Sequence, residues 1–269
     1  MNMAELRQSV LDVARRAGDV IMDIYGKDDF AVQTKDDDSP LTRADVASNR
    51  LITEALRELT PNIPILAEES AQAGYAERRD WTRLWLVDPL DGTKEFIKRN
   101  DEFTVNIALV ENGQPVLGVV HVPALMTSYS ASLAEGAFRH RGGDQVALRA
   151  TPPGGTALRV VVSRSHAGDS TTRLLERLRG QYDVESVARG SALKICLVAE
   201  GEADFYPRLG PTMEWDTAAA HAVIDAAGGV LVALPERQPL RYNKENLRNP
   251  HFAVAATATA PFLDTLEDL

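Results

Sequence analysis

Apolar residues recur at three- and four-residue intervals along Leu6, Val10, Val13, Ala17, Val20 or Ile21, and Ile24, with polar residues between them. That spacing predicts an amphipathic helix, ended at Gly26. After the polar stretch "FAVQTKDDDSPLTRAD", Thr42 opens a second helix through Leu51, Ala55, Leu56 and Leu59. The pattern then changes to short apolar runs. "IPIL" predicts a strand leading straight into Glu68 and Glu69, and "LWLV" another, cut off by Pro89. "FTVNIALV", "PVLGVVHV" and "TSYSASL" read as further strands, the first two joined by a turn at "ENGQ". Up to about residue 145 the chain therefore predicts two helices packed against a mainly antiparallel sheet.

"ATPPGGTA" is the richest Pro/Gly segment and marks a boundary between two parts, 1–150 and 151–269. Beyond it strands and helices alternate. The strand "LRVVVS" precedes a helix from about Asp169, then come the strand "YDVESV" and a helix from Ser191 to Glu200. The strand "DFY", the helix "WDTAAAHAVIDAAGG" and the strands "VLVAL" and "FAVAA" complete an α/β layer with helices over a sheet.

Charge narrows the partners. A formal net charge of -10 repels polyanions, which argues against nucleic acid and anionic membrane surfaces. A small anionic substrate stays open if local cations reverse the sign. Cys196 is the only cysteine, so disulfides within the chain and thiolate zinc sites are excluded; its ordinary role is a buried small apolar side chain. The charged N-terminus does not resemble a signal peptide, and no long uncharged apolar stretch occurs. A soluble, cytoplasmic protein with no integral membrane segment is expected.

The candidate chemistry lies in carboxylates at element ends. In "LWLVDPLDGTKEF", Asp88 and Asp91 flank Pro89 and Leu90. Either acid suits a capped turn. Pro89 fixes φ and removes a donor, so the turn stays open and the Leu90 carbonyl can face outward. Two carboxylates and a carbonyl form an all-oxygen set suited to magnesium rather than zinc. Of the neighbours Glu68 and Glu69, alternation along an extended segment turns only one to a given site, and Glu68 is chosen. Asp216 precedes an alanine-rich helix, where capping and metal ligation are compatible. Asp45, three residues after Thr42, has capping-box spacing. Glu68, Asp88, Asp91 and Asp216 together would require two or three divalent cations, which would also attract a phosphate.

"AEES", "DPLDGTKEF" and "WDTAAAHAVIDAAGG" resemble the signature segments of the inositol monophosphatase superfamily of magnesium-dependent, lithium-sensitive phosphatases. The run from "WLVDPLDGTKEF" through "FTVNIALVENGQPVLGVVHVP", with "VVSRSHA", "GSALKICLVAEGEADFYPRLGPTMEWDTAA" and "LRNPHF", looks more specifically like its bacterial 3′(2′),5′-bisphosphate nucleotidases. The resemblance covers nearly the whole chain. It implies a layered αβαβα sugar-phosphatase fold, α+β in the first part and α/β in the second. It places two to three Mg2+ ions on Glu68, Asp88, the Leu90 carbonyl, Asp91 and Asp216, and a water-activating pair on Asp45 and Thr93. The implied reaction is in-line attack of cation-activated water on phosphorus, without a phosphoenzyme. 3′-Phosphoadenosine 5′-phosphate would yield AMP, and 3′-phosphoadenosine 5′-phosphosulfate is a second candidate, in sulfur assimilation. Peripheral attachment to the inner membrane, as in bacterial relatives, and a monomer or homodimer are compatible with it.

Most ligands thus fall in residues 1–150, with nucleotide contacts and the last ligand in 151–269. Substrate contacts carried over by the resemblance are Gly92, Thr93, His166, Ser191, Lys194, Arg208 and Asp216. By themselves His166 also suits a structural hydrogen bond, Lys194 a solvated surface and Arg208 a surface ion pair. Ser191 and Lys194 are expected on the first turn of a helix, whose free N–H groups favour an anion. Lys35 matches a loop lysine of the wider family, and Asp36 to Asp38 fit either a third, weaker metal site or a solvated loop. Two departures stand out: Ala192 where a second serine is expected, and Glu214, for which the sequence supplies no role. A haloacid-dehalogenase-type phosphatase needs its two acids two apart, whereas Asp88 and Asp91 are three apart. Inositol phosphates or fructose 1,6-bisphosphate as substrates, and a non-catalytic phosphate-binding regulator, are the remaining alternatives.

Overall fold

Local signals place the first elements. In a computed structural model, which describes residues 1–27, 32–34, 40–164 and 168–266, helix α1 (Met3–Tyr25) starts with a capping box between Asn2 and Glu5 and ends at Gly26. A two-stranded ribbon, β1 (Gln33–Thr34) with β2 (Pro40–Leu41), precedes α2 (Arg43–Leu59), which Thr42 caps as expected.

Seven strands follow, in spatial order β3 to β9: β3 (Ile65–Ala67), β4 (Arg83–Asp91), β5 (Thr104–Glu111), β6 (Gln114–Val122), β7 (Thr127–Ser132), β8 (Gly136–Arg141) and β9 (Asp144–Ala147). Only β3 and β4 run parallel. Short helices α3 (Tyr75–Arg78) and α4 (Thr93–Ile97) flank β4. The second sheet, ordered β11-β10-β12-β14-β13, is mixed. It is formed by β10 (Ala157–Ser163), β11 (Asp183–Arg189), β12 (Phe205–Arg208), β13 (Val230–Ala233) and β14 (Phe252–Ala255), with helices α5 (Asp169–Arg179), α6 (Leu193–Ala199) and α7 (Glu214–Ala226) between strands.

Strand alternation assembles these into five layers. On β4, Trp85 and Val87 pack under α1 and α2, while Leu84 and Leu86 face α6 and α7. On β10, β12 and β14, Val161, Tyr206, Phe252 and Val254 join that same middle core, and Leu158, Val160, Phe205, Ala253 and Ala255 pack outward with α5. The result is the expected αβαβα order. Strands buried on both faces explain why "LWLV" is a continuous apolar run. The alanine-rich α7 lies between the sheets, close enough that a Cβ on Gly118 of β6 would clash with the Ala219 carbonyl oxygen.

Two expectations need correction. The strand at "LWLV" does not stop at Pro89 but continues to Asp91 through an irregularity. The helix expected from Ser191 begins at Leu193, so Lys194 but not Ser191 lies in its first turn. Strands β8 and β9 escape the sequence pattern, since β9 is exposed throughout and β8 alternates only weakly.

Beneath α1 the first sheet carries a buried polar layer. Arg7 donates to Ser130 Oγ (2.9 Å) and Glu135 (3.1 Å), Ser130 meets His140 Nε2 (2.8 Å), and His121 Nδ1 meets Ser128 Oγ (2.9 Å). Burial, then the charge of Arg15, lowers both imidazoles from 6.5 to about 4, with Arg7 adding to the effect on His140. The unfolded chain protonates them near 6.5 and the native protein only near 4. Stability from these residues is therefore complete above about pH 6.5 and lost progressively down to pH 4, by roughly 3 kcal/mol for His121 and by less for His140, where solvent screens the effect. Urea midpoints between pH 7 and 4.5 should fall more steeply for the wild type than for a His121→Gln/His140→Gln variant. Equal slopes would remove both histidines from the account.

Candidate active site

The chain around Asp88 departs from regular pairing. Asp88 pairs with Asn106 and Asp91 with Thr104, so Pro89 and Leu90 together oppose one residue of β5. Pro89 has no N–H for the ladder, and its carbonyl accepts from Ser48 Oγ at 2.7 Å. The Leu90 N–H donates to Asp88 Oδ1 at 3.0 Å, and its carbonyl lies 3.5 Å from Thr93 Oγ1. Gly92, at φ +93, then turns the chain into α4; a Cβ there would meet Ser191 Oγ at 2.7 Å.

These elements edge an open cleft of about 240 Å3 between the two sheets. Glu68, Asp91, Gly92, Thr93, Ser191, Lys194, Arg208 and Asp216 all line it, and Glu69 does not. Asp88 and Asp45 are buried, each 1% exposed, with Thr93 Oγ1 donating to Asp45 Oδ1 at 3.2 Å. Asp45 also caps α2, accepting from the Thr42 N–H at 2.8 Å. Asp216 serves doubly in the same way, capping α7 through the Met213 N–H at 2.9 Å. His166, Lys35 and Asp36 to Asp38 lie outside the described residues.

The acids repel one another. Burial first, then Glu68, Asp91 and Asp216, pushes Asp88 well above the usual carboxylate range. Asp216 is raised by burial, Asp91 and Glu68. Burial raises Asp91 to about 6, against the opposing pull of Lys194 and the Ala192 N–H, which donates to Oδ2 at 2.6 Å. Among the described residues no three His, Cys, Asp or Glu side chains are gathered closely enough to enclose an ion as they stand. The donor chemistry nevertheless fits a hard divalent cation: carboxylates and a backbone carbonyl, with mutual repulsion that a cation would relieve.

Two buried cations share the cleft with these acids. Lys194 is 5% exposed rather than solvated, with Nζ 2.6 Å from the Ser191 carbonyl and 5.5 Å from the Tyr206 ring centre. Burial lowers it to about 8, Asp91 opposing and Arg208 adding to the shift. Arg208 is buried too; Nη2 donates to the Pro211 carbonyl at 2.8 Å, while Nε has no hydrogen-bond partner among the described residues. Ser191 faces the cleft, but its hydroxyl lies 2.6 Å and 3.0 Å from the carbonyls of Glu102 and Asp91, a backbone-bracing role. Cys196 is fully buried, its thiol pushed up by burial, as an inert core residue.

Sequence reasoning missed Tyr206 and Glu95, which also line the cleft. Tyr206 was accessible to it, since period-two alternation puts Tyr206 and Arg208 on one face of β12. Nothing local marks Glu95. Glu214 acquires a role: fully buried, it accepts from the Asn243 and Lys244 N–H groups at 2.6 and 2.9 Å and from Lys244 Nζ at 2.7 Å.

A five-layered fold with a carboxylate cluster at a strand bulge defines a known class. The inositol monophosphatase family model matches residues 2–263, and the chain belongs to that family. Among its relatives, the 3′(2′),5′-bisphosphate nucleotidase CysQ of Salmonella typhimurium is 50% identical over 253 residues, covering 92% of this chain and 98% of that protein. The protein of the same name from Escherichia coli K12 is 50% identical over 252 residues, 91% of this chain and 98% of its own. The crystal structure of CysQ from Bacteroides thetaiotaomicron, described as a bacterial member of the family, superposes with a TM-score of 0.81 at 43% identity, covering 94% of this chain and 97% of that one. No helix among the described residues is long and apolar enough to cross a membrane.

Proposed function

We propose that the chain is a metal-dependent 3′(2′),5′-bisphosphate nucleotidase that converts 3′-phosphoadenosine 5′-phosphate and water to AMP and phosphate, in sulfur metabolism. The observation that carries this reading is one cleft that holds both the carboxylates and two buried cations, with Lys194 acting on Asp91 and Arg208 on Asp216. A bisphosphate suits this mixture, with one phosphate taken by the carboxylates and the cations they would hold and the other by Lys194 and Arg208. The name shared by the 50% identical relatives supports the same substrate class.

Glu68, Asp88, Asp91, Asp216 and the Leu90 carbonyl would hold two or three Mg2+ ions. Bound there, the ions supply Lewis-acid polarisation of phosphate and water and neutralise the developing charge. The chain's own groups handle the proton. Thr93 Oγ1, hydrogen-bonded to Asp45 Oδ1, accepts a proton from the attacking water while passing its own toward the carboxylate. The water oxygen bonds to phosphorus as the bond to the 3′ oxygen breaks; that oxygen takes a proton from a solvent water, and Asp45 returns the proton it received to solvent. Lys194 and Arg208 hold the 5′-phosphate and align the ester for in-line attack.

The test is a panel of 3′-phosphoadenosine 5′-phosphate, inositol 1-phosphate and fructose 1,6-bisphosphate with Mg2+, with and without Li+. The adenosine bisphosphate should show the highest kcat/KM, chelation should abolish turnover, and Li+ should inhibit. Faster kcat/KM on inositol 1-phosphate would replace the nucleotidase reading with an inositol phosphatase.

A further inference from the structure

The turn that carries Ser191 into the cleft is held by a residue outside the cleft. Glu102 lies between α4 and β5, delivered by a tight bend in which Arg99 (φ +54) and Asp101 (φ +65) are left-handed. Its carboxylate accepts two hydrogen bonds from Arg164, both 2.8 Å, and one from the Gly190 N–H at 2.8 Å. Arg189 Nε approaches to 3.9 Å. The backbone of Glu102 is engaged as well, its carbonyl accepting from Ser191 Oγ at 2.6 Å. The fit is close: a Cβ on Gly190 would lie 2.6 Å from the Glu102 carbonyl oxygen and 2.8 Å from Glu95 Cγ. Ser191 itself has φ +51, a conformation that a non-glycine residue holds only when its surroundings impose it.

This turn sets two cleft groups. The Ser191 carbonyl accepts from Lys194 Nζ, and the Ala192 N–H donates to Asp91, each at 2.6 Å. Asp91 is also reached by Asn106 Nδ2 at 3.4 Å and Thr104 Oγ1 at 3.5 Å, so this acid has supports that the turn does not provide. Among the described residues the Lys194 side chain makes one hydrogen bond, and it is to the turn. We propose that Glu102 is a positioning residue for bisphosphate selection: by gripping Gly190 and Ser191 from the bend before β5, it aims Lys194 at the second phosphate. The inference rests on the nucleotidase reading, and Glu102 touches no substrate itself.

The test compares wild type, Glu102→Gln, Glu102→Ala and Arg164→Ala on 3′-phosphoadenosine 5′-phosphate and on adenosine 3′-phosphate, which lacks the 5′-phosphate. For Glu102→Ala, KM for the bisphosphate should rise about tenfold with kcat within about threefold, while both constants for the monophosphate stay within about threefold. Glu102→Gln, which keeps an oxygen for the Gly190 N–H, should fall between. Arg164→Ala should stay close to wild type, because the grip on Gly190 survives. Equal losses on both substrates, an unchanged bisphosphate KM, Arg164→Ala matching Glu102→Ala, or failure of both Glu102 variants to fold would each overturn the proposal. A wild type without preference for the bisphosphate would sink the nucleotidase reading and this inference together. Preference present in the wild type and retained in the variants would sink the inference alone.

Discussion

Asp91→Asn should lower kcat/KM by about a thousandfold or more, the scale at which losing a metal-held transition state is felt. The metal-free fold should survive. Oδ2 of Asp91 is the acceptor for the Ala192 N–H, and an asparagine can present its single oxygen there, leaving the amide nitrogen on the other side. The substitution also removes a buried charge that repels Asp88 and Asp216. Against that gain, Lys194 loses an attracting partner. These effects oppose each other, so the thermal midpoint in chelator should stay within a few degrees of wild type. Mg2+ should raise the wild-type midpoint by mass action and leave the variant's nearly unmoved. Wild-type turnover, or the same Mg2+-induced shift in both proteins, would remove Asp91 from the proposed metal site.

Glu214→Ala should destabilise the fold by about 3 kcal/mol, read as a lower urea midpoint at unchanged slope. The side chain is 0% exposed and satisfies two backbone N–H groups and the Lys244 ammonium. Its loss strands both N–H groups away from water. Lys244 is 28% exposed and can rehydrate, which keeps the figure at the lower end of the range for a broken buried pair. Asn249 supplies a second tie by donating to the Met213 carbonyl at 2.8 Å, so the start of α7, and Asp216 with it, should hold its place in the folded fraction. Glu214→Gln should recover part of the loss, because the amide oxygen can still accept. A change below about 0.5 kcal/mol in the alanine variant would mean that the buried carboxylate is stabilising nothing net.

The sequence and the structure agree best where the signal is local. α1 and α2 were legible because amphipathic spacing and the Thr42 cap act within a few residues. The bulge was half legible: Pro89 announced an interruption in pairing, but not that the strand resumes at Asp91. β9 was not, because an exposed edge strand need not alternate, and its neighbour β8 alternates only weakly. Asp45 and Asp216 illustrate a different overlap. Each caps its helix, as spacing alone allows, and each also faces or supports the cleft, which spacing cannot report.

Lys194 and Glu214 mark where local reading ends. A lysine early in a helix is usually solvated, yet Lys194 is buried against Tyr206 and the Ser191 carbonyl, and Glu214 is buried against a loop nearly thirty residues on. By itself the sequence determined the order of elements, the apolar faces that must be covered and the carboxylates at strand and helix ends, since these follow from periodicity, turn chemistry and short-range hydrogen bonding. Only the tertiary structure decided which acids share one cleft, which cations lose their water, and that Glu102 grips a turn 88 residues away. Desolvation and long-range pairing depend on which surfaces meet, and that is a property of the packed layers rather than of any one segment.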